Sequence, residues 1–591
     1  MHFLGKMMMS SAADVLLQKE TRRKLEQFDK IRGKKVQTGE FWDIVVITAV
    51  DKQQEAAYQQ QLCKKLQRSE LPLGVQYHVF ADPQGAKIGN GGSTLYALER
   101  LELLYGEQLD HLAVLLIHAG GYSQRLPSAS ALGKIFTALP MGNPIYQMLE
   151  LKLATYIDFP RHMIPGVLVT CADDIELYST GTNEIKFDKP GFTALAHPSS
   201  LTIGTTHGVF VLEPSASLDY QDLEYRSCRR FLHKPSVQLM HQAGAVTTRR
   251  DSEWSSLKGH GGEMTRVNSE IVYTDSLFYV DHSTAKKLLA FYKELGTLPC
   301  EIDAYGDFLQ ALGTEATGHY TKNTANVTTE DPQLVNVREK IFMLLKGTQL
   351  NVTVLNNSKF YHIGTTKEYL FHFTCDEKLK AELNLQSKTF SIISRKAASV
   401  CVIHSILDPG SSVAPGTVIE YCRLGPEVSV GENCIISSSC IVTKTNIPSS
   451  SFVYSLCLNI DGQQMYATIS CGLEDDLKRN VKSLSEIDSL QYCGMRFLQC
   501  MDLWGLKVSE LMFSGKSTRF GLWNARIFPL SFSLSESVMM SVGMLNTVHS
   551  RSPFKISDQR LLSIEEMLSS KDVEGMLLLR CKLFEDISVQ L

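Results

Sequence analysis

No stretch of the sequence holds the roughly 18 uninterrupted apolar residues that a membrane-crossing helix needs. The opening residues, MHFLGKMMMSSAADVLLQKE, also lack the apolar core and small-residue cleavage site of a secretory leader. A soluble, cytoplasmic protein with no membrane partner is the expectation. Excess positive charge is missing too: 59 Lys and Arg stand against 63 Asp and Glu, a net charge of −4. That balance argues against non-specific binding of nucleic acid. Fourteen cysteines are present, yet no two are spaced Cys-x-x-Cys, so neither a zinc ribbon nor a redox pair is signalled and reduced thiols are expected. The P-loop pattern G-x-x-x-x-G-K-[ST] does not occur, and the main glycine loop does not meet the G-x-G-x-x-G spacing.

What is present is a globular composition, 44% hydrophobic and 21% charged over 591 residues, which is too long for one core and predicts two or three domains. The organising stretch is 112–136, LAVLLIHAGGYSQRLPSASALGKIF. An apolar run from Leu112 to Ile117 stops at Gly120 and Gly121, which reads as a buried strand feeding a phosphate loop. Glycines can turn their N–H groups toward an anion with no Cβ in the way. Arg125 offers a forked cation for phosphate oxygens and Lys134 a movable point charge, while Pro127 keeps the segment between them from closing into a helix. A glycine pair alone is equally compatible with a tight turn. The full string Gly-Gly-x-Ser-x-Arg-x-Pro, with Ser123 inside it and a lysine after it, is far more specific.

Along the chain, Ser11 to Lys35 is charged and helix-prone, with Leu16, Leu17, Leu25 and Phe28 as a partial stripe. The strand WDIVVITAV, a Gln- and Lys-rich helix and a second strand at Val75 to Phe80 predict a parallel α/β sheet. In GAKIGNGGSTLYALERLELL, Gly89, Gly91 and Gly92 lead to Ser93, a candidate N-cap of a leucine-rich helix. Two readings stand, an ordinary glycine-rich helix start and a second nucleotide contact through Gly91, Gly92 and Ser93. PGVLVTCADDIELY is a buried strand ending in Asp173 and Asp174, at the edge where open α/β sheets bind ligands; a capping turn is the plainer alternative. HPSSLTIGTTHGVFVL is a candidate sugar-side loop. CEIDAYGDFLQALG places Asp303 and Asp307 four apart, which on a helix is either an exposed acidic face or a metal site.

From Ile406 to Val442 the pattern changes. Val418, Leu424, Val430, Ile436 and Val442 recur every six residues with Gly and Pro at the corners, the mark of a β-helix. Such a solenoid packs or assembles as readily as it binds, and self-association through it is an expectation. Beyond Tyr466 the chain is a mixture of helical and apolar pieces with no evident chemistry. The expected fold class is therefore α/β: a Rossmann-like nucleotidyltransferase domain with a mostly parallel sheet, a left-handed β-helix-like domain and a C-terminal mixed segment. Expected boundaries are 1–40, 41–375, 376–466 and 467–591.

The loop Gly120-Gly121-Tyr122-Ser123-Gln124-Arg125-Leu126-Pro127 resembles the signature of the sugar-nucleotide pyrophosphorylases, G-x-G-x-R-x-x-P followed by an essential lysine. Together with YHVFADPQGAKIGNGGST, VTCADDIELY, HPSSLTIGTTHGVFVL and CEIDAYGDFLQAL it is similar in particular to the GDP-L-fucose pyrophosphorylase branch, over most of 40–470. The resemblance implies GTP and L-fucose 1-phosphate as substrates, GDP-L-fucose and pyrophosphate as products, and Mg²⁺ as cofactor. It implies phosphate binding by Gly120, Gly121 and Ser123, pyrophosphate binding by Arg125, and Lys134 near the α-phosphate. Lys234, in His233-Lys234-Pro235 where the family has Glu-Lys-Pro, is implied on the sugar phosphate. Asp173 is implied as the magnesium ligand with Asp174 as fallback, and Asp303, ahead of Asp307, as the second. In the family the glycine-rich helix start follows the phosphate loop, whereas here it precedes it, which implies a permuted strand order. A pyrophosphorylase for another sugar 1-phosphate and a silent regulatory subunit of the same fold are the alternatives. A sugar kinase lacks its ATP loop here, and an acyltransferase would need more than His404 at the edge of the coils.

Overall fold

The computed structural model describes residues 11–214, 221–250, 268–325, 327, 331–393, 399–515 and 519–591. The chain forms two compact units, one of residues 1–120 and 151–361, the other of residues 121–150 and 362–591. The second unit therefore takes in a 30-residue piece of the first half of the chain, beginning at Gly121.

In the first unit, helix α1 (Ala12–Ile31) opens on a reciprocal capping box of Ser11 and Asp14 and buries Leu17 and Phe28. Ten strands make one sheet: β1 (Ile44–Ala49), β2 (Gln76–Ala81), β3 (Ala113–His118), β4 (Gly166–Cys171), β6 (Phe192–Ser199), β7 (Gly208–Leu212), β8 (Leu223–His233), β9 (Thr247–Arg250), β10 (Asn268–Asp281) and β11 (Leu350–Leu355), with the short β5 (Asp174–Tyr178) outside it. Their order is β2-β1-β3-β4-β10-β6-β11-β8-β7, with β9 on β10. The block β2-β1-β3-β4 and the pair β6-β11 are parallel. The long β10 runs antiparallel between β4 and β6, and β8 runs antiparallel to β11 and β7. The sheet is thus mixed, which corrects the expectation of a mostly parallel one. Continuous apolar runs mark burial on both faces, but they carry no sign of strand direction.

Alternate residues of the parallel block, Ile44 and Val46, Val114 and Leu116, Val167 and Val169, share a core with Leu95, Leu98 and Leu101 of helix α3 (Gly89–Tyr105). Each leucine so buried contributes about 2 kcal/mol. Helix α2 (Lys52–Gln67) is capped by Asp51, whose carboxylate accepts from the Gln54 amide at 2.7 Å. Helix α3 begins at Gly89, so Ser93 lies inside its second turn and is not the N-cap.

The second unit contains three parallel ladders. Cys401 pairs with Val418, Val418 with Ile435 and Ile435 with Phe452, a spacing of 17 residues. Leu407, Leu424 and Ile441 stack on a second face and Val413, Val430 and Ile447 on a third. The six-residue reading holds around one coil but loses a residue at each closure. Ile441, not Val442, therefore faces inward, and Val442 is 54% exposed. One corner of every coil adopts left-handed backbone, at His404, Tyr421 and Ser438, again 17 apart. The first ladder continues past Phe452 as an antiparallel hairpin, Ser451–Ile460 with Gln463–Gly472, then Phe528–Ser531 and Leu561–Leu562.

Candidate functional site

The parallel strands of the first unit deliver their carboxyl ends to one edge, and the candidate residues of that unit gather there. Thr48, near the end of β1, accepts the Ala119 amide at 3.2 Å and the Gly120 amide at 3.4 Å, while the Tyr58 hydroxyl donates to the Ala119 carbonyl at 2.9 Å. A Cβ on Gly120 would stand 3.2 Å from Ala49 C and Val50 N, a tight backbone approach that favours glycine here. Gly121 needs it for another reason, a φ of +104°.

From Gly121 onward the loop belongs to the second unit. There the Arg125 carbonyl accepts the Thr366 amide at 2.9 Å, leaving its guanidinium exposed. Ser123 is buried, its carbonyl accepting the Ser130 hydroxyl at 3.0 Å, while its own Oγ has no hydrogen-bond partner. Lys134 is half-buried and opens a short 3-10 turn after Gly133.

The glycine-rich start of α3 docks on residues 302–304. The Gly91 amide donates to the Ile302 carbonyl at 2.8 Å and the Ala304 amide to Asn90 Oδ1 at 2.9 Å. A Cβ on Gly91 would meet Ile302 Cγ2 at 2.8 Å and one on Gly92 would meet Ile88 Cβ at 2.6 Å. Close packing accounts for both glycines, and the Gly91 amide is already committed. The Ser93 hydroxyl lies 2.5 Å from Asp82 Oδ1 and 3.0 Å from the Gly89 carbonyl. Burial pushes the Asp82 carboxyl up to about 6 even with that bond.

Asp173 and Asp174 have different surroundings. Asp173 follows the end of β4 and is half-buried. Asp174 is buried and ion-paired with Lys152, whose ammonium also reaches the Tyr156 hydroxyl at 3.1 Å and Thr170 Oγ1 at 3.3 Å. Burial raises the Asp174 carboxyl and the Lys152 charge opposes that rise.

Asp303 and Asp307 likewise divide. Asp303 Oδ1 accepts the Tyr305 and Gly306 amides at 2.9 and 2.8 Å. Asp307 is buried, takes the Asp303 amide on Oδ2 at 2.8 Å, and stands 2.9 Å from Arg338 Nε as an ion pair without hydrogen-bond alignment. The two carboxylates therefore form no shared acidic face. A π-type turn over Ala304–Phe308 replaces the expected helix.

Two imidazoles at this edge were not singled out from the sequence as site residues. His118 ends β3, with Nε2 2.8 Å from Thr94 Oγ1 and a buried Nδ1 that has no partner. His233 ends β8, and both its ring nitrogens are buried without partners. Burial lowers both rings, His118 to about 4, and the Asp303 charge opposes it in each. Asp275, which accepts the Gly208 amide at 2.8 Å, is pushed up to about 7 by burial, with Asp303 adding to the rise and Lys234 opposing it. Lys234 is exposed, with left-handed backbone at φ +46° and its amide on the His207 carbonyl at 3.1 Å. The Asp303 charge thus acts on His118, His233 and Asp275, and the Lys234 charge on the last two. Only the replacement of glutamate by His233 in the His-Lys-Pro triplet could have drawn attention to them.

Such a cluster offers a carboxylate, a lysine and unpaired imidazole nitrogens to a ligand carrying both hydroxyls and negative charge. Among the described residues no group of three or more His, Cys, Asp or Glu converges as a metal cage, and no helix is long and apolar enough to cross a membrane.

A mixed sheet flanked by helices, with Gly120 at the end of β3 and electrostatically coupled carboxylates and imidazoles, defines an α/β protein. The chain belongs to the fucose pyrophosphorylase family, whose domain matches residues 106–532. It is 62% identical over 584 residues to the fucose-1-phosphate guanylyltransferase of Homo sapiens, covering 98% of this chain and 96% of that one. Identity to the Mus musculus fucose-1-phosphate guanylyltransferase is 60% over 577 residues, 97% of this chain and 98% of the relative. A bifunctional fucokinase/GDP-fucose pyrophosphorylase of Arabidopsis thaliana is 23% identical over 581 residues, 90% of this chain but 51% of its own length.

Proposed function

We propose that this chain is a nucleotidyltransferase that condenses GTP with β-L-fucose 1-phosphate to give GDP-L-fucose and pyrophosphate, in fucose salvage. The observation that carries this reading is the 62% identity to a fucose-1-phosphate guanylyltransferase along nearly the whole of both chains. A phosphate oxygen of the sugar phosphate attacks the α-phosphorus, the bond to the bridging oxygen breaks, and pyrophosphate leaves with its electron pair. No covalent enzyme intermediate is required. The protein holds two polyanions in line and neutralises charge that builds on the leaving oxygens.

In this reading Gly120, Gly121 and Ser123 cradle phosphates, the buried unpartnered Ser123 hydroxyl serving as a donor kept for the ligand. Arg125, exposed at the loop tip, takes the leaving pyrophosphate, and Lys134 lies at the α-phosphate. Lys234 takes the sugar phosphate, and the free nitrogens of His118 and His233 face the sugar hydroxyls. Gly92 and Ser93 serve the nucleotide side through the shape of the α3 start.

Asp173 and Asp303 are the residues that would hold a magnesium ion in this reading. Both present hard carboxylate oxygens, whereas Asp174 is ion-paired with Lys152 and Asp307 with Arg338. Two carboxylates suffice, because Mg²⁺ keeps several waters and takes phosphate oxygens as further ligands. Bound there, it supplies Lewis-acid stabilisation of developing negative charge. We further propose a Rossmann-like arrangement for the parallel block, a left-handed sense for the coils, self-association through them, a cytoplasmic location, and no nucleic-acid or membrane partner.

The test is direct. Purified protein with Mg²⁺, GTP and β-L-fucose 1-phosphate should release pyrophosphate and form GDP-L-fucose. Lys134→Ala should fold normally and lose roughly two to three powers of ten in turnover, as when one aimed transition-state donor is removed. Wild-type turnover in that variant would sink the loop assignment, and absence of GDP-L-fucose with the wild-type protein would sink the function.

A further inference from the structure

The second unit contains a cavity of about 510 Å³ with no part in the proposed phosphate chemistry. That lies within the range of about 300 to 1,000 Å³ that small-molecule sites occupy. Its floor is one corner of the solenoid. Tyr421, Ser438 and Ser455 form one 17-residue column of lining residues and Arg423, Cys440 and Cys457 form another. The C-terminal helix Val573–Gln590 supplies the opposite wall through Met576, Leu579, Arg580 and Leu583.

Three polar groups in this cavity lack partners. Ser438 Oγ, Ser535 Oγ and Arg580 Nε are each buried from solvent with no hydrogen bond. Buried donors of this kind cost stability unless something satisfies them. Ser438 also holds left-handed backbone at φ +50°, a strained conformation for a residue with a side chain. The Arg580 guanidinium is pre-positioned: it stacks over the Tyr421 ring at 3.6 Å, and its own carbonyl lies 3.2 Å from His404 Nε2. His404 packs on Tyr421 at 5.1 Å and on Phe390 at 5.2 Å, so the platform beneath the cation is aromatic and closely packed. By contrast, Arg423 in the same cavity is shared between Asp408 at 3.5 Å and Asp586 at 3.6 Å. One guanidinium is neutralised, and the other is held ready.

We propose that this cavity binds a small organic anion. Its oxyanion is held by the Arg580 guanidinium and the Ser438 and Ser535 hydroxyls, and its apolar body lies against Met576, Leu579 and Leu583. A phosphate and a carboxylate share the required head-group chemistry.

The probe is 8-anilinonaphthalene-1-sulfonate, a sulfonate on an aromatic body, titrated into the full chain with saturating GTP present so that the nucleotide site is filled. The expected result is one fluorescent site whose affinity falls about tenfold or more in Arg580→Gln, the loss of one charge-assisted interaction. Octyl phosphate or octanoate should displace the probe, the stronger of the two identifying the head group, while neutral octyl glucoside should not. Ser535→Leu, away from the aromatic stack, should also weaken the probe and stands in for Arg580→Gln if that variant does not fold. Displacement by octyl glucoside as readily as by the anions, an unchanged probe affinity in the variants, or no saturable site would each overturn the proposal.

Discussion

Neighbouring residues of the same type are separated here by what they touch. Asp173 and Asp174 are adjacent carboxylates, yet only Asp174 is buried against Lys152. Asp174→Asn leaves that ammonium buried with Glu176 as its remaining negative neighbour, which costs up to about 3 to 5 kcal/mol. The expected outcome is a lower melting temperature by calorimetry. Asp173→Asn should melt like the parent but lose turnover and need more Mg²⁺, read from rate against Mg²⁺ concentration. If Asp174→Asn melts normally and loses only activity, the ligand assignment moves to Asp174.

His197 supplies a residue-level prediction about pH. Burial lowers the ring to about 4, with Glu176 opposing and Lys152 assisting, and Ser358 and Ser276 hydroxyls lie 2.8 and 2.9 Å from its nitrogens. A group whose native value is depressed below about 6.5 binds its proton first in the unfolded chain, so its contribution is complete above pH 6.5 and is lost as pH falls toward 4. The fall amounts to about 3 kcal/mol at 1.36 kcal/mol per unit. His197→Gln should flatten the dependence of the urea midpoint on pH across that window, and an unchanged slope would place the acid sensitivity elsewhere.

Among the elements, the solenoid coil separates neighbours most sharply. Ile441 is fully buried and stacks under Leu424, whereas Val442 is 54% exposed. Ile441→Asp places an unpaired carboxylate in the coil interior and should abolish cooperative folding of the second unit, while Val442→Asp should shift stability by less than about 0.5 kcal/mol. Circular dichroism melts of the pair distinguish a 17-residue coil from an 18-residue one, because the strict six-residue reading turns Val442 inward. A repeat was legible because corners and aliphatics recur. Its true length was not, because a coil can close one residue short when a left-handed corner such as Asn433, between Val430 and Ile435, absorbs the turn.

For the whole molecule, the assignment of 121–150 to the second unit changes what truncation should do. Within that unit the Gln386 amide donates to the Pro140 carbonyl at 2.8 Å, the Thr366 amide to Arg125, and Gln147 Nε2 to the Tyr421 hydroxyl at 3.3 Å. A fragment of residues 1–375 keeps the sheet but removes most of what the basic half of the loop packs on. It should bind GTP at least about tenfold more weakly than the full chain in equilibrium titration, since pre-organisation of Ser123, Arg125 and Lys134 is lost. Wild-type affinity in a folded fragment would show that 121–150 holds its shape without the solenoid.

Local signals determined much of this protein from the sequence alone. An apolar run broken by Gly120 and Gly121 marks a strand entering a loop, because a tight backbone approach at the first and a positive φ at the second favour glycine there. A recurring aliphatic marks a solenoid, because each coil must bury one side chain per face. Other features were decided only in three dimensions. The direction of β10 depends on which neighbours it pairs with, and Gly91 and Gly92 are crowded by Ile302 and Leu298, about 200 residues further along the chain. The residues on which the Asp303 charge acts come from the ends of β3 and β8, His118 and His233, and from the middle of β10, Asp275. Partners so distant in the chain leave no spacing to read, and burial and charge, which set their chemistry, exist only once the sheet has closed around them.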